Sequence, residues 1–257
     1  MPEPRIDPAA RANRDFLRDS VRKRIDFAQT DQSRGVPMPP VQKPREPGAP
    51  LVELPRPGAW KGIPAADLAS AIGNRQSRRA YLPGPISLDE LSFLLWATQG
   101  VRGRRGDGPV LRTVPSAGCR HALETYVAAL RVTGLELAIY RYLPLGHQLV
   151  LERSMGDLAD RLTGAALGQG MVGRAAATFI WTAVPYRMEW RYGAASHKVI
   201  ALDAGHVCQN LYLACEAIGC GTCAVAAYDQ EEIDLLLGVD GDDEFAVYLA
   251  PVGRVRA

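Results

Sequence analysis

The chain predicts an α+β protein: one mixed domain of helices and strands carried behind an extended, proline-rich arm. Three observations point there. Eleven of the 19 prolines fall in residues 1–60, and Pro37-Met38-Pro39-Pro40-Val41-Gln42-Lys43-Pro44 suits neither a helix nor a central strand. Beyond that point, segments with helical spacing alternate with short apolar runs bounded by glycine, aspartate and serine. One of these runs, Ala176 to Val184, is nearly all apolar and reads as a buried central strand. The division expected is therefore an arm over residues 1–60 and a folded domain over 61–257.

Size and charge narrow the class. A chain of 257 residues with 47% hydrophobic content can bury a full core. A net charge of +2 supplies no field that would draw nucleic acid or a membrane surface. No apolar run approaches the ~20 residues that span a bilayer. The first residues, Met1 to Pro8, lack the apolar stretch of a secretory signal. The five cysteines form an odd, irregularly spaced set, as expected of reduced thiols in the cytoplasm.

The elements follow in order. Arg14 to Ala28 is weakly helical, basic and amphipathic through Phe16, Leu17, Val21 and Ile25; it is either disordered or wrapped over a surface, a partner subunit's included. Ile63 to Ile72 reads as a helix with Pro64 in its first turn and Gly73 as its stop. Ser87-Leu88-Asp89-Glu90 is a capping box opening a helix with Leu91, Leu94, Leu95 and Thr98 on one side, closed by Gly100. A glycine- and arginine-rich loop spans Arg102 to Gly108. Glu124 to Val132 reads as a strand turned at Thr133-Gly134 and paired with Leu137 to Tyr142. Asp157 to Leu167 reads as a helix. The longest helix covers Lys198 to Ile218, rich in small residues and ended by Gly219. A short strand is expected over Thr222 to Ala227, then a second capping box at Asp229-Gln230-Glu231-Glu232 and a helix closed by Gly238. Phe245 to Pro251 is the last strand.

Several clusters carry chemistry. Asn74-Arg75-Gln76-Ser77-Arg78-Arg79 gathers guanidinium groups around one hydroxyl at a helix end, a pattern suited to a phosphate. Pro115-Ser116-Ala117-Gly118-Cys119-Arg120-His121 is a run of small residues that lets backbone approach a flat ligand. A rival reading makes Cys119 a nucleophile and His121 its base. Cys220-Gly221-Thr222-Cys223 has CxxC spacing, but no second ligand pair stands at zinc-finger distance, and no metal site is expected. Trp181, Tyr186, Trp190 and Tyr192, interleaved with Arg187 and Arg191, are either core or the wall of a cleft.

Taken in this order, the segments from about residue 61 onward resemble the flavin-dependent nitroreductase superfamily. The residues that carry it are Arg75 to Arg79, Pro115 to Gly118, and the long helix running into Gly219-Cys220-Gly221-Thr222-Cys223-Ala224-Val225-Ala226-Ala227, with the basic C-terminus. Within it the chain is most similar to the SagB-type branch of thiazole/oxazole dehydrogenases. There the match rests on His121 and Glu124, Trp190-Arg191-Tyr192-Gly193, Leu202-Asp203-Ala204-Gly205-His206 and Gln209-Asn210-Leu211. The resemblance implies a mostly antiparallel sheet flanked by helices, a homodimer, and FMN bound at the interface. Arg75, Ser77 and Arg79 would hold the phosphate and ribityl chain, with Arg254 or Arg256 closing the phosphate site. Pro115, Ser116, Ala117 and Gly118 would touch the ring from the other subunit, and the Ala226 and Ala227 N–H groups would face its N5 edge. NADH or NADPH would deliver hydride and an organic acceptor would remove it, in ping-pong order.

Two departures bear on the substrate. Many relatives carry a carboxylate where Ala226 stands, and azoline-oxidising members carry a Lys-Tyr pair where this chain has Arg191 and Tyr192. Arginine stays protonated far above neutral pH and is a poor base. Arg191 and Tyr192 are therefore expected on the substrate side of a stand-alone reductase or dehydrogenase. The other readings are an azoline dehydrogenase of a peptide-modifying pathway and a non-catalytic flavin-binding protein.

Overall fold

The order of small, apolar and capping residues resolves into two helical layers on a single sheet. The computed structural model describes residues 7–104, 106 and 109–256. In the arm, α1 (Pro8–Asn13) is followed by short 3-10 turns over Arg14–Leu17, Asp19–Arg24 and Phe27–Gln29 rather than the single helix expected there. Arg18 (ψ 142°) and Ile25 (ψ 123°) are extended and break the helical run. From Gln32 onward the arm is tied to the body of its own chain. The Gln32 N–H donates to the Trp190 carbonyl at 2.9 Å, and the Trp190 indole donates to the Val36 carbonyl at 2.9 Å. Arg112 reaches the Val41 carbonyl at 2.6 Å. Leu51–Glu53 is β1, an edge strand of the main sheet.

α2 spans Leu68–Asn74 and begins four residues later than Pro64 suggested. Asp67 supplies the N-cap, accepting from the Ser70 N–H at 2.8 Å, and a capping carboxylate outweighs proline's weaker preference for the first turn. α3 (Leu88–Gln99) carries the expected capping box in full and stops at Gly100. The Arg102–Gly108 loop is shorter than expected, because β2 (Val101–Arg104) pairs with β3 (Val110–Arg112); Arg105, Asp107 and Gly108 lie outside the described residues.

β4 (Leu123–Ala129) and β5 (Ala138–Leu143) form the expected antiparallel pair, and β6 (Gln148–Ser154) follows. After α4 (Leu158–Ala165) and the single turn α5 (Met171–Arg174) comes β7 (Ala177–Ala183), buried along its whole length. α6 (Tyr186–Tyr192) and the 22-residue α7 (Ser196–Ala217) lead to β8 (Cys220–Thr222). β8 lies earlier than expected, sharing only Thr222 with the strand read over Thr222–Ala227; past it an isolated bridge joins Val225 to Leu249. α8 (Gln230–Leu237) keeps one half of its expected capping box, Asp229 accepting from the Glu232 N–H at 3.1 Å. It ends at Gly238, whose φ of 74° needs the left-handed freedom of glycine. β9 runs from Phe245 through Pro251 to Arg254, its last three residues pairing with β8.

The sheet order is β1-β6-β5-β4-β7-β9-β8, and every pairing of neighbours is antiparallel. Parallel contact is confined to isolated bridges such as Ser77 to Thr222. Period-two alternation divides β4 and β7 between two cores. Leu123, Val127, Phe179 and Trp181 face one core with Leu91, Leu95, Val207 and Leu211 of α3 and α7. Tyr126, Ala128 and Ile180 face the other with Leu158, Val172 and Leu236 of α4, α5 and α8. Covering both faces of the sheet is what drives these strands toward continuous apolar character.

One buried charged network stands on the central strands β4 and β5 and the residue before β9. Glu124 receives the Arg187 guanidinium and, at 2.6 Å, the Lys43 N–H. Glu244 accepts from the Tyr126 hydroxyl at 2.9 Å and pairs with the Lys43 ammonium at 2.5 Å. Arg141, 2% exposed, donates to the Lys43 and Pro44 carbonyls at 2.9 Å each. Buried carboxylates are tolerated only when paired this fully, and here the pairing fastens the arm to the strands.

Candidate functional site

The site grows from the end of α2. Arg75 caps the helix with an extended ψ of 120°, and the following residues run beside β8, where the Arg78 N–H donates to the Thr222 carbonyl at 2.9 Å. The Ser77 hydroxyl lies 3.0 Å from the Tyr212 hydroxyl, which accepts the Ala224 N–H at 2.8 Å. The Arg75 guanidinium stands over the Tyr212 ring, 5.3 Å from its centroid. Tyr212 thus joins the Arg75–Arg79 segment to the loop after β8.

Two adjoining hollows open there. One of about 610 Å³ is lined by Arg75, Arg78, Glu216 and Arg256; the other, of about 420 Å³, by Ser77, Arg78, Arg79 and Arg256. Glu216 lies 3.8 Å from the Arg78 Nε, whereas Arg75, Arg79 and Arg256 have no ion-pair partner among the described residues. Arg254 is differently placed. Its guanidinium is held by Glu90 at 2.7 Å, the Ile218 carbonyl at 3.0 Å and the Pro85 carbonyl at 3.2 Å. Of the two C-terminal arginines, Arg256 is the one on the wall of both hollows.

Pro115, Ser116, Ala117 and Gly118 do not line these hollows; they lie against α6 and α7. The Ser116 hydroxyl oxygen accepts the His121 N–H at 2.9 Å, and the Asp203 carboxyl of α7 lies beside the Ser116 hydroxyl and the Ala117 N–H. Burial raises the pKa of Asp203, whose Oδ2 has no partner. Backbone strain is concentrated in this loop: Gly118 (φ 58°), Cys119 (φ 54°) and His121 (φ 50°) are all left-handed. A Cβ at Gly118 would stand 2.7 Å from the Tyr192 hydroxyl and 3.0 Å from the Arg191 Nε, so only glycine fits.

His121 is not the base of a Cys119 nucleophile. Its Nε2 lies 2.9 Å from the Val110 carbonyl, which fixes Nε2 as the protonated nitrogen. Burial first, and then the Arg112 charge, lower its pKa to about 3, so the ring is neutral at ordinary pH. Cys220 of the CxxC segment is buried, and burial pushes its thiol up to about 12, opposite to the activation a redox thiolate needs.

Ala226 and Ala227 are exposed, and neither N–H has a hydrogen-bond acceptor among the described residues. Ala226 lines an apolar cavity of about 470 Å³ with Ile200, Ala204, Phe245, Tyr248 and, from the arm, Phe16. Tyr212, Asp203 and Phe16 were not picked out as site residues by sequence reasoning. The one signal for Tyr212 was a lone tyrosine beside the apolar stripe of a long helix; for Phe16 it was the apolar spacing of the arm, which suggested a surface to wrap but not which one.

Comparison with known proteins agrees with this architecture. The sequence profile described as the nitroreductase family matches residues 72–254. A protein of Methanocaldococcus jannaschii described as a nitroreductase is 36% identical over 189 residues, covering 73% of this chain and 90% of its own. The trifolitoxin-processing protein of Rhizobium leguminosarum is 27% identical over 186 residues; these are 68% of this chain but 49% of the relative. A nitroreductase structure from Ralstonia eutropha superposes with a TM-score of 0.66 at 28% identity, covering 84% of this chain and 95% of that one. The NADPH:FMN oxidoreductase of Vibrio harveyi, at 15% identity and a TM-score of 0.52, covers 74% of this chain and 69% of its own, and shares the fold alone. With a matching profile over most of its length and a relative above one-third identity, this chain belongs to the nitroreductase family.

Proposed function

We propose that the chain is an FMN-dependent oxidoreductase acting as a homodimer, with NAD(P)H as donor and an organic molecule as acceptor. The observation that carries this reading is the convergence of Arg75, Arg79 and Arg256, none with an acidic partner among the described residues, on the walls of two joined hollows. Three unpaired guanidiniums suit a phosphate monoester better than any neutral ligand. FMN, when bound, supplies hydride chemistry in two half-reactions, first with the nicotinamide and then with the acceptor.

The protein's part is binding and access. Arg75, Arg79 and Arg256 would hold the phosphate, Ser77 the ribityl chain, and the free N–H groups of Ala226 and Ala227 the reactive edge of the ring. Arg254 supports the site from behind, through Glu90 and the end of α7. The apolar walls at Ile200, Phe245 and Tyr248, with Phe16 at the rim, would exclude water from the face where donor and acceptor alternate. A dimer is favoured by apolar surface left open on the elements nearest the site: Leu202 of α7 is 52% exposed and Leu68 and Ile72 of α2 are 64% and 57% exposed. Small neighbours on α7, Ala201 and Gly205, let a second helix approach closely. The Pro115–Gly118 loop would then serve the partner's flavin.

A second reading, azoline oxidation in a SagB-type peptide-modifying pathway, is favoured by the trifolitoxin-processing relative. Arg191 weighs against it, because a guanidinium cannot serve as the base such oxidation requires. The test is an absorption scan near the flavin bands, at about 370 and 450 nm, with FMN titration of wild type and Arg75→Ala. Wild type is expected to be yellow, and Arg75→Ala to bind FMN about 10- to 100-fold more weakly, the loss of one charge-assisted contact. A colourless wild type that takes up no added FMN overturns the reading.

A further inference from the structure

Three donor side chains gather around Gly118, and no carboxylate pairs with any of them among the described residues. The Arg120 Nε donates to the Gly118 carbonyl at 3.0 Å, and the Arg191 Nε and the Tyr192 hydroxyl occupy the space that a side chain at the same residue would fill. Arg120 is 4% exposed, with its guanidinium 5.2 Å from the Trp190 ring centroid; Arg191 stands 5.5 Å from that of Tyr192. The Gly118 carbonyl is the one acceptor these three groups meet among the described residues. The carboxylate nearest in sequence, Glu189, is engaged by His197 at 2.9 Å. Two guanidiniums repel each other, and Arg120, largely buried with one of its five N–H donors bonded to protein among the described residues, keeps solvent-reached donors that an anion would answer. The charge of Arg191 indeed helps to lower the pKa of Arg120, second only to burial.

We propose that Arg120, Arg191 and the Tyr192 hydroxyl form a receptor for an oxyanion, a carboxylate or a phosphate, on one of the two substrates. The inference rests on the proposed function in one respect: that reading places the Pro115–Gly118 loop beside the reacting ring. The planar guanidinium fork matches either oxyanion in two-point contact, and the aromatic faces of Trp190 and Tyr192 hold the forks in place. Arginine at position 191, a poor base, is in this role an asset: it gives the substrate a handle. The oxyanion has two possible carriers, the acceptor and the 2′-phosphate of NADPH, and kinetics separate them.

The experiment compares wild type, Arg191→Gln and Arg191→Lys. One arm uses 4-nitrobenzoate against its methyl ester as acceptors, and the other uses NADPH against NADH as donors. In one arm wild type is expected to favour the anionic partner by about tenfold or more in kcat/KM, the difference lying in KM. Arg191→Gln is expected to abolish that preference, and Arg191→Lys to retain most of it. A shift in the acceptor arm assigns the receptor to a substrate carboxylate; a shift in the donor arm assigns it to the phosphate. Calorimetric titration with 4-nitrobenzoate and with 2′,5′-ADP, run on the protein as purified and saturated with FMN where it binds, gives a second readout, expected to weaken about tenfold in Arg191→Gln for one of the two. Equal kinetics with charged and neutral partners in both arms, and unchanged titrations, overturn the receptor. An FMN-loaded enzyme that treats acid and ester, and both nicotinamides, alike leaves the proposed function intact, whereas a protein that binds no FMN overturns that function and leaves the titrations to decide the receptor.

Discussion

Three left-handed residues within four positions, Gly118, Cys119 and His121, mark where the chain stores strain, and the bonds around them show why it persists. The Ser116 hydroxyl, the Asp203 carboxyl and the Val110 carbonyl each hold part of the loop. His121 makes this testable by pH. Its pKa falls from 6.5 unfolded to about 3 folded, so the unfolded chain takes up a proton that the folded chain refuses. Its contribution is therefore complete above the unfolded value and is lost as pH falls through the window between the two, by at most about 1.4 kcal/mol per pH unit. Urea denaturation of wild type is expected to show stability declining as pH is lowered from about 7 to about 5. In His121→Asn, which tolerates the left-handed backbone, the slope should flatten; an unchanged slope would assign it to another group. The arginine-serine cluster was legible as a phosphate-type pattern because its residues are contiguous. Which C-terminal arginine stands at the hollows was not, since that depends on Glu90 capturing Arg254 across 164 positions.

At the level of elements, the helices with side-chain caps were the clearest. α3 has both halves of its capping box, the Ser87 hydroxyl accepting from the Glu90 N–H at 3.2 Å and the Glu90 carboxylate from the Ser87 N–H at 2.7 Å. Ser87→Ala is expected to cost about 1 kcal/mol of stability, read from the denaturation midpoint at constant m-value. A loss below a few tenths would show that the contact of Glu90 with Arg254 holds the helix start unaided. The misplaced start of α2 has the same physics in reverse, since Asp67 offered a better cap than Pro64 offered a first turn. Strands β1 and β6 escaped notice because they lie at and near the sheet's edge, where burial is partial and alternation weak. The strand expected over Thr222–Ala227 was misplaced: β8 starts two residues earlier and shares only Thr222 with it, because the last three residues of β9 pair with Cys220, Gly221 and Thr222.

For the whole molecule, the question is what the arm does. Among residues 7–29 none is buried, whereas from Gln32 the arm is tied to Trp190, Arg112, Arg141 and the two buried carboxylates Glu124 and Glu244. Removing the first 30 residues should therefore leave the fold and the proposed dimer intact, because the exposed faces of α2 and α7 are untouched. Sedimentation of the truncated protein checks this, and a monomer would assign the interface to the arm. The same truncation deletes Phe16 from the rim of the cavity at Ala226, so a change in acceptor KM is expected without a change in assembly.

The amino-acid sequence alone determined what neighbouring residues decide among themselves: the capped helices, the buried run of β7, the long small-residue helix and the phosphate-type cluster. These follow from hydrogen bonds and apolar spacing within a few positions of one another. Tertiary structure alone decided which distant groups meet: Tyr212 with Ser77 and Arg75, Arg254 with Glu90, Phe16 with Ala226, Arg120 with Arg191. Such meetings depend on sheet register and on how two helical layers settle on opposite faces. A shift of one residue in β9, for example, would turn Arg254 to the other face of the sheet and away from Glu90.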